Sequence, residues 1–488
     1  MKKYILIILC CLTSFPLWSY NVNMIVEHYS VDQGLPNNTV NCTLKDRDGF
    51  IWFGTWYGLC CFDGVKFKTF NKQEHDSDVP PRKIQRIVED KNGYIWVKTI
   101  DRKLYVFNKV TECFHAVYDD MKNYSENIQV IKLQNTAEGD VLLLTKDKNL
   151  LLAGVDEKGQ VTIKILFDSR NEINKHDYTL KHHVLCETEE YISWIGTDYK
   201  VAAVHKGSEL ASRPADFITS KINSGDKDSF TSFFEDGRKV WVGDRAGIFY
   251  SIDVRTGLVN RYVLSEIKGA ISNLLVTPAG YVYLSVAGQG TYEYDLAERR
   301  LQKINTEMND AMVTHAFIDQ YDKIWFHENE KALIYYDPLN HTAKRFPFTM
   351  FGKITTLYSE DAGERGLFFL SPAGEAWLFD REHAEMVYIN KLKQLSNDRA
   401  NQQFYHLMLD NDGVLWLSSA DEGVYCMNFP KKQFNLLSLS PQSVGQENYA
   451  TGVRALFQSK SGDIWVGTRW QSCLLYTSPS PRDISGSR

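Results

Sequence analysis

The sequence has no surplus of positive charge. Its 488 residues carry 55 Lys and Arg against 61 Asp and Glu, a formal net charge of −6. Such a chain has little with which to neutralise phosphates, so nucleic-acid binding is excluded as its main task. Long apolar runs are also absent: beyond the first twenty residues, no segment approaches the ~20 apolar residues that a spanning helix needs. There is no Walker loop, no GxSxG motif and no Cys/His spacing that resembles a zinc site. The twelve His form no ligand pattern, and His182 and His183 are adjacent rather than one helical turn apart. DRDG at Asp46 and DNDG at Asp410 look like calcium-loop openings, but no Glu follows at the right distance, and they read as hairpin turns. No metal and no cofactor is expected.

Cysteine is sparse, and two of the nine, Cys10 and Cys11, fall in the first twenty residues. Cys42, Cys60 and Cys61 lie close in sequence. Adjacent residues on a strand point to opposite faces, so one of Cys60 and Cys61 is placed to pair with Cys42 in an oxidising compartment. Buried free thiols are the reading the sequence favours. The N-terminus has the form of an export signal: Lys2 and Lys3, a short apolar run from Tyr4 to Leu12, then the small residue Ser19. An uncleaved anchor is the alternative.

What is abundant is aromatic. Tyr, Phe and Trp make up 13% of the chain, which favours pleated sheet over helical bundles. The aromatics sit in a repeat. Asp46–Asp63 (DRDGFIWFGTWYGLCCFD), Glu89–Thr99 (EDKNGYIWVKT), Glu235–Tyr250 (EDGRKVWVGDRAGIFY), Asp319–Phe326 (DQYDKIWF), Asp410–Tyr425 (DNDGVLWLSSADEGVY) and Lys460–Thr468 (KSGDIWVGT) share one pattern. A polar turn is followed by an apolar residue, a Trp, a second turn and a short apolar strand. Weaker copies lie near Leu143, Tyr283 and Phe369, which makes ten with Trp194. A period in the forties with turn-separated short strands means propeller blades of four strands each. Helical repeats fail because Asp-Gly and Asn-Gly turns interrupt every candidate helix.

The first copy divides into an inner strand Val40–Leu44, a second strand Phe50–Thr55 carrying Trp52, a third Leu59–Phe62 and an outer strand Lys66–Phe70. Trp52 then packs between neighbouring blades. Met24–Tyr29 reads as an outer strand with no blade before it, placed to close a ring by completing its last blade. Counting from Trp52 through Trp325 gives seven blades. The expected fold is therefore all-β: a signal peptide over 1–20, a seven-bladed β-propeller over 21–341, and an incomplete second propeller of about three blades over 342–471. In that arrangement Thr342–Phe348 is a spare strand that closes the second ring. The tail 472–488, Ser/Pro/Arg-rich, departs from the repeat and reads as non-native.

Ser30–Phe70, SVDQGLPNNTVNCTLKDRDGFIWFGTWYGLCCFDGVKFKTF, resembles the opening of the two-component regulator propeller family, and the resemblance extends over roughly 24–470. It implies the periplasmic sensor half of a hybrid two-component system from Bacteroidetes. In that family two seven-bladed propellers precede a small β-sandwich, a membrane helix, a histidine kinase, a receiver and a DNA-binding domain. Oligosaccharide ligands, control of glycan-use genes and a homodimeric receptor anchored in the inner membrane by its C-terminal part follow as implications. On this reading the chain is truncated within the second propeller and is not itself an enzyme. A propeller enzyme acting on polysaccharide and a protein-binding scaffold are the rival classes, because propellers host all three.

Strand order fixes where a ligand would sit. Turns joining outer to inner strands, and second to third strands, share one side of the ring. That side is expected to present Asn38, Trp56, Tyr57, Arg82, Asp101, Arg102, Tyr199, Arg245, Glu328, Arg469 and Trp470. Aromatic faces stack on a pyranose, Asn and Asp bond its hydroxyls, and Arg holds a uronic acid or sulfate. Trp56 is the foremost candidate, since a large ring in a turn is least easily explained by packing.

Overall fold

The computed structural model describes residues 25–70, 80–122, 124, 128–170, 180–196, 201–207, 215–216, 230–304, 313–328, 331–351, 358–361, 366–371, 375–391, 404–428, 453–459, 464–468 and 474–476. The expected signal peptide, 1–20, lies outside them. The chain divides into two compact units, Met1–Phe429 and Pro430–Arg488. Among the described residues no helix is long and apolar enough to cross a membrane.

Among the described residues, the first unit is an all-β propeller of nine four-stranded antiparallel sheets. The opening repeat folds as its sequence divides: Val40–Lys45, Ile51–Thr55, Gly58–Phe62 and Phe67–Phe70, hydrogen-bonded in that order. One apolar cluster joins each sheet to the next. Cys42, Trp52 and Leu59 of the first sheet meet Ile84, Ile87 and Phe107 of the second. Trp325 and Leu333 of the seventh meet Leu367 and Phe379 of the eighth. Trp416 and Cys426 of the ninth meet Val40, Phe53 and Cys60 of the first, and the circuit is closed.

Two strand assignments differ from the sequence reading. Thr342–Pro347 is not spare: it pairs with Ala332–Asp337 as the outer strand of the seventh sheet, so the expected boundary after 341 falls inside that sheet. Ile25–Tyr29 does not complete the seventh sheet. It pairs with Val424–Asn428, in the register Glu27 with Cys426, and completes the ninth. The physical reason is that an outer strand's place is open to any short extended segment. Thr342–Pro347 reaches the seventh sheet through a short turn at Asp337, with little loop entropy lost. The second unit contains a three-stranded sheet, Val453–Gln458, Ile464–Thr468 and Leu474–Tyr476. Its third strand comes from the segment read as a non-native tail.

The repeated phrase has a structural cause at each letter. The Asp that opens the turn accepts backbone N–H groups with one oxygen and the indole N–H of the Trp with the other. Asp90 Oδ1 takes Asn92 N and Tyr94 N at 3.0 Å each, and Oδ2 takes Trp96 Nε1 at 2.9 Å. The same indole bond recurs at Asp46–Trp52 (2.7 Å), Asp236–Trp241 (2.8 Å), Asp319–Trp325 (3.2 Å) and Asp410–Trp416 (3.1 Å). Buried indoles need such a partner, so the DxDG segments are turn-and-indole anchors. The Thr after the Trp strand caps the next turn: Thr55 Oγ1 donates to Gly58 O at 2.8 Å and accepts from Tyr57 N at 3.1 Å.

The Gly of the phrase answers to a bulge. Among the described residues, the inner strand shifts register by one residue after its first pair in eight of the ten sheets, as between Val40 and Cys42. The bulge bends the inner strand and presses its next residue against the second strand. A Cβ on Gly54 would run into Cys42 Sγ and come within 2.6 Å of Ile84 Cγ2 in the next sheet. Gly54→Ala is expected to cost about 1–3 kcal/mol through overpacking. Urea unfolding measures it, and an unchanged midpoint would refute the clearance role.

Candidate functional site

The expected binding side is built from turns locked by main-chain bonds. Trp56 N donates to Thr39 O (3.2 Å), Lys83 N to Trp56 O (2.9 Å), and Ile100 N to Lys83 O (2.9 Å). Further round, Val130 N donates to Arg102 O and Lys146 N to Gln129 O. With the backbone held this way, side chains of the first two sheets project from a rigid rim. Trp56 is 44% exposed and Tyr57 60% exposed. Lys83 Nζ lies 5.3 Å from the Trp56 ring centroid, a cation–π contact that steadies the ring while leaving it open.

The remaining candidates divide. Arg82 is exposed beside Lys83 on this rim. Asp101 accepts the Thr99 hydroxyl and lies 3.3 Å from Lys103 Nζ. Burial opposes its charge, yet Thr99 and Lys103 hold its carboxyl below the usual range. Arg102 has a φ of 68°, a left-handed turn residue exposed to solvent. Asp101 and Arg102 border a cavity of about 390 Å³, floored by Leu104, Val117 and Met121 and flanked by Tyr105 and Tyr118. Arg245 is exposed on a turn of the fifth sheet, apart from this group. Tyr199, Arg469 and Trp470 lie outside the described residues.

Two candidates are already engaged in the fold. Asn38 Oδ1 accepts Val31 N at 2.8 Å, and its carbonyl accepts Gly423 N at 2.8 Å, which fastens the N-terminal segment to the ninth sheet. Glu328 is 4% exposed and accepts Arg345 Nε at 3.2 Å and Nη2 at 3.0 Å. Removing it from Arg345 would strand a buried charge, so it belongs to the packing of the seventh sheet. The sequence missed this because Arg345 sits on the strand taken as spare.

On the other side of the sheets, carboxylates of Asp46, Asp48 and Glu89 converge within 4.8 Å. The Lys109 ammonium stands among them, at 3.0, 2.8 and 2.8 Å. Burial works against that charge, but the three carboxylates hold Lys109 protonated far above its ordinary range. The cluster therefore carries an internal cation, and the DRDG turn is structural. Cys42, Cys60, Cys61, Cys113 and Cys426 are free thiols, and burial pushes Cys42 up to about 12.

Two groups escaped the sequence reading. Arg86 and Lys98 face each other in register at the bulge of the second sheet. The signal was present: IWVKT carries Lys98 where IWFGT and IWVGT carry Gly54 and Gly467.

Residues 34–57 match the family model described as two component regulator propeller. The chain carries the two-component regulator propeller repeat. The matched stretch runs from Gly34 to the exposed Trp56–Tyr57 pair. No curated protein matches the chain. Among solved structures, it is similar to the extracellular domain of the putative one component system BT4673 from B. thetaiotaomicron. The identity is 14% and the TM-score 0.35, over 81% of this chain and 65% of that one. It is also similar to the extracellular domain of the putative hybrid two component system BT3049 from B. thetaiotaomicron. There the identity is 15% and the TM-score 0.33, over 93% and 65%. Virginiamycin B lyase from Staphylococcus aureus aligns at 8% identity and a TM-score of 0.33, over 83% of this chain and 99% of that one. The chain thus spans about 65% of the length of the first two.

Proposed function

We propose that this propeller is the ligand-sensing part of a two-component regulatory system and that it binds an oligosaccharide on the rim of the first two sheets. The observation that carries the reading is the pair Trp56 and Tyr57, exposed on a turn whose backbone is bonded to two neighbouring loops. An ordered, solvent-facing indole offers a stacking platform at little entropic cost. Arg82, Asp101 and Arg102 supply hydroxyl-directed donors and acceptors beside it. In this reading the chain works in the periplasm, binds without turnover, and in a longer, dimeric, membrane-anchored receptor governs a histidine kinase and genes for glycan use.

Calorimetric titration of the full chain with a panel of oligosaccharides tests it. Binding at micromolar Kd without product release is expected, and Trp56→Ala is expected to weaken it by about tenfold or more, near 1.4 kcal/mol. Unchanged affinity in Trp56→Ala removes the rim from the reading. Release of shortened sugars would point to a propeller enzyme.

A further inference from the structure

In five sheets the residue just after the inner-strand bulge is polar: Arg86 in the second sheet, Ser232 and Asn273 in the fifth and sixth, His315 and His406 in the seventh and ninth. In the first and fifth sheets the opposing residue is a glycine, Gly54 or Gly243, because the close approach leaves no room. In the second sheet it is Lys98. Lys98 is 6% exposed, and its ammonium donates to Gln85 Oε1 at 2.7 Å and to Ile131 O at 2.9 Å. Both acceptors are neutral. Arg86, on the inner strand of the same sheet, is exposed. Among the described residues, neither Arg86 nor Lys98 has a carboxylate partner. Glu89, further down the same strand, is taken by Arg47 and Lys109.

A buried ammonium without a counter-ion is costly. Burial, with Arg102 and Arg86 adding repulsion, pushes Lys98 down to about 8. The charge of Arg86 reaches further: after burial, it is the second reason that His406 is held down to about 4. His406 Nδ1 is buried with no hydrogen-bond partner. The charged groups facing Lys98 are thus cationic, Arg86 and Arg102, with Lys132 one residue beyond Ile131. Glu360, on the inner strand of the eighth sheet, is itself pushed up by burial.

We propose that Arg86 and Lys98 form an anion-binding position at the bulge of the second sheet, which takes a carboxylate or sulfate group of a ligand. It uses neither Trp56 nor Tyr57 and holds whether or not the ligand is a sugar. The bound anion supplies the missing counter-charge: the Arg86 guanidinium offers a planar fork, and Lys98 offers its third N–H.

Sodium sulfate and sodium glucuronate, titrated into the full chain by calorimetry at constant ionic strength with glucose as the neutral control, test the position. Both anions are expected to bind and glucose is not. Arg86→Ala and Lys98→Leu should each weaken anion binding by about tenfold or more. Leu occupies the equivalent position in the third and eighth sheets, as Leu144 and Leu370, so Lys98→Leu is expected to fold. It should also raise Tm at pH 7 by about 2 °C or more, since the unpaired charge is gone. The sign with pH follows. Below about 8 the folded wild type carries the buried charge and its full cost. Between about 8 and the ordinary 10.5 the unfolded chain holds one more proton than the folded chain, so wild-type stability rises with pH and the difference from Lys98→Leu shrinks. Saturating sulfate should slow acetylation of Lys98, read by mass spectrometry. Anion affinity equal in wild type and both variants, or no anion binding at all, would overturn the proposal. Failure of sugars to bind while sulfate does would sink only the oligosaccharide reading.

Discussion

Trp325→Ala is expected to lower the unfolding free energy by about 3–5 kcal/mol, a large share of an ordinary domain's stability. The side chain is fully buried. Its ring stands 4.7 Å from Phe379, 5.1 Å from Tyr335 and 5.4 Å from Phe369, centroid to centroid. Truncation removes these contacts and also the indole bond to Asp319. Asp319 does not become a free buried charge, because Arg381 of the eighth sheet also donates to it and to Asp361. The loss is therefore mainly a cavity between the seventh and eighth sheets. Trp325→Phe keeps most of the volume and is expected to cost only about 1 kcal/mol or slightly more for the lost hydrogen bond. Urea unfolding followed by hydrogen exchange across all nine sheets checks both. A fall in protection shared by sheets one and nine as well as seven and eight is the expected result of a closed ring. Protection lost only beyond residue 342 would mean that the first seven sheets form a ring by themselves.

Glu27→Cys is expected to cross-link to Cys426 under mild oxidation. The two positions are register partners across antiparallel strands, where Cα atoms lie about 4.5–5.5 Å apart, within the range a disulfide spans. Glu27 is exposed and Cys426 is 8% exposed, so the new thiol is reachable and the native one is close beneath it. The bond would tie the first strand to the ninth sheet and enclose nearly the whole ring. In the chain-entropy model such a closure stabilises by up to about 5 kcal/mol. Peptide mapping of the Glu27→Cys variant should find the introduced thiol joined to Cys426, and dithiothreitol should return Tm to the wild-type value. Cys426 left fully open to alkylation would show that Ile25–Tyr29 pairs elsewhere.

These two experiments address what local sequence could not decide. The four-strand division of Val40–Phe70 was readable because each boundary has local chemistry: an Asp turn, a Thr-capped turn, a Gly with positive φ. The role of Trp52 as a blade-to-blade packing residue was readable from its period. Its partner Asp46, six residues earlier, was legible only as a turn residue, because the indole bond depends on how the strand returns over the turn. Of the binding candidates, Trp56 and Tyr57 are exposed as their turn position suggested, and so are Arg82, Asp101 and Arg102. Glu328 did not remain available, because its neighbour Arg345 lies seventeen residues on, across a strand pairing.

The sequence by itself determined the all-β class, the blade-like repeat, the turn chemistry and the exposed aromatic pair. All of these rest on contacts between residues near in the chain, where spacing dictates geometry. The tertiary structure decided which sheet receives Ile25–Tyr29, whether Thr342–Pro347 is spare, and which charges lack a counter-ion. The first two depend on main-chain hydrogen bonds, which any short extended segment can supply, so side-chain identity does not fix them. The last depends on burial and on groups brought from other sheets. Lys98 differs from a surface lysine only because the bulge of its own sheet and the Ile131 carbonyl of the next enclose it.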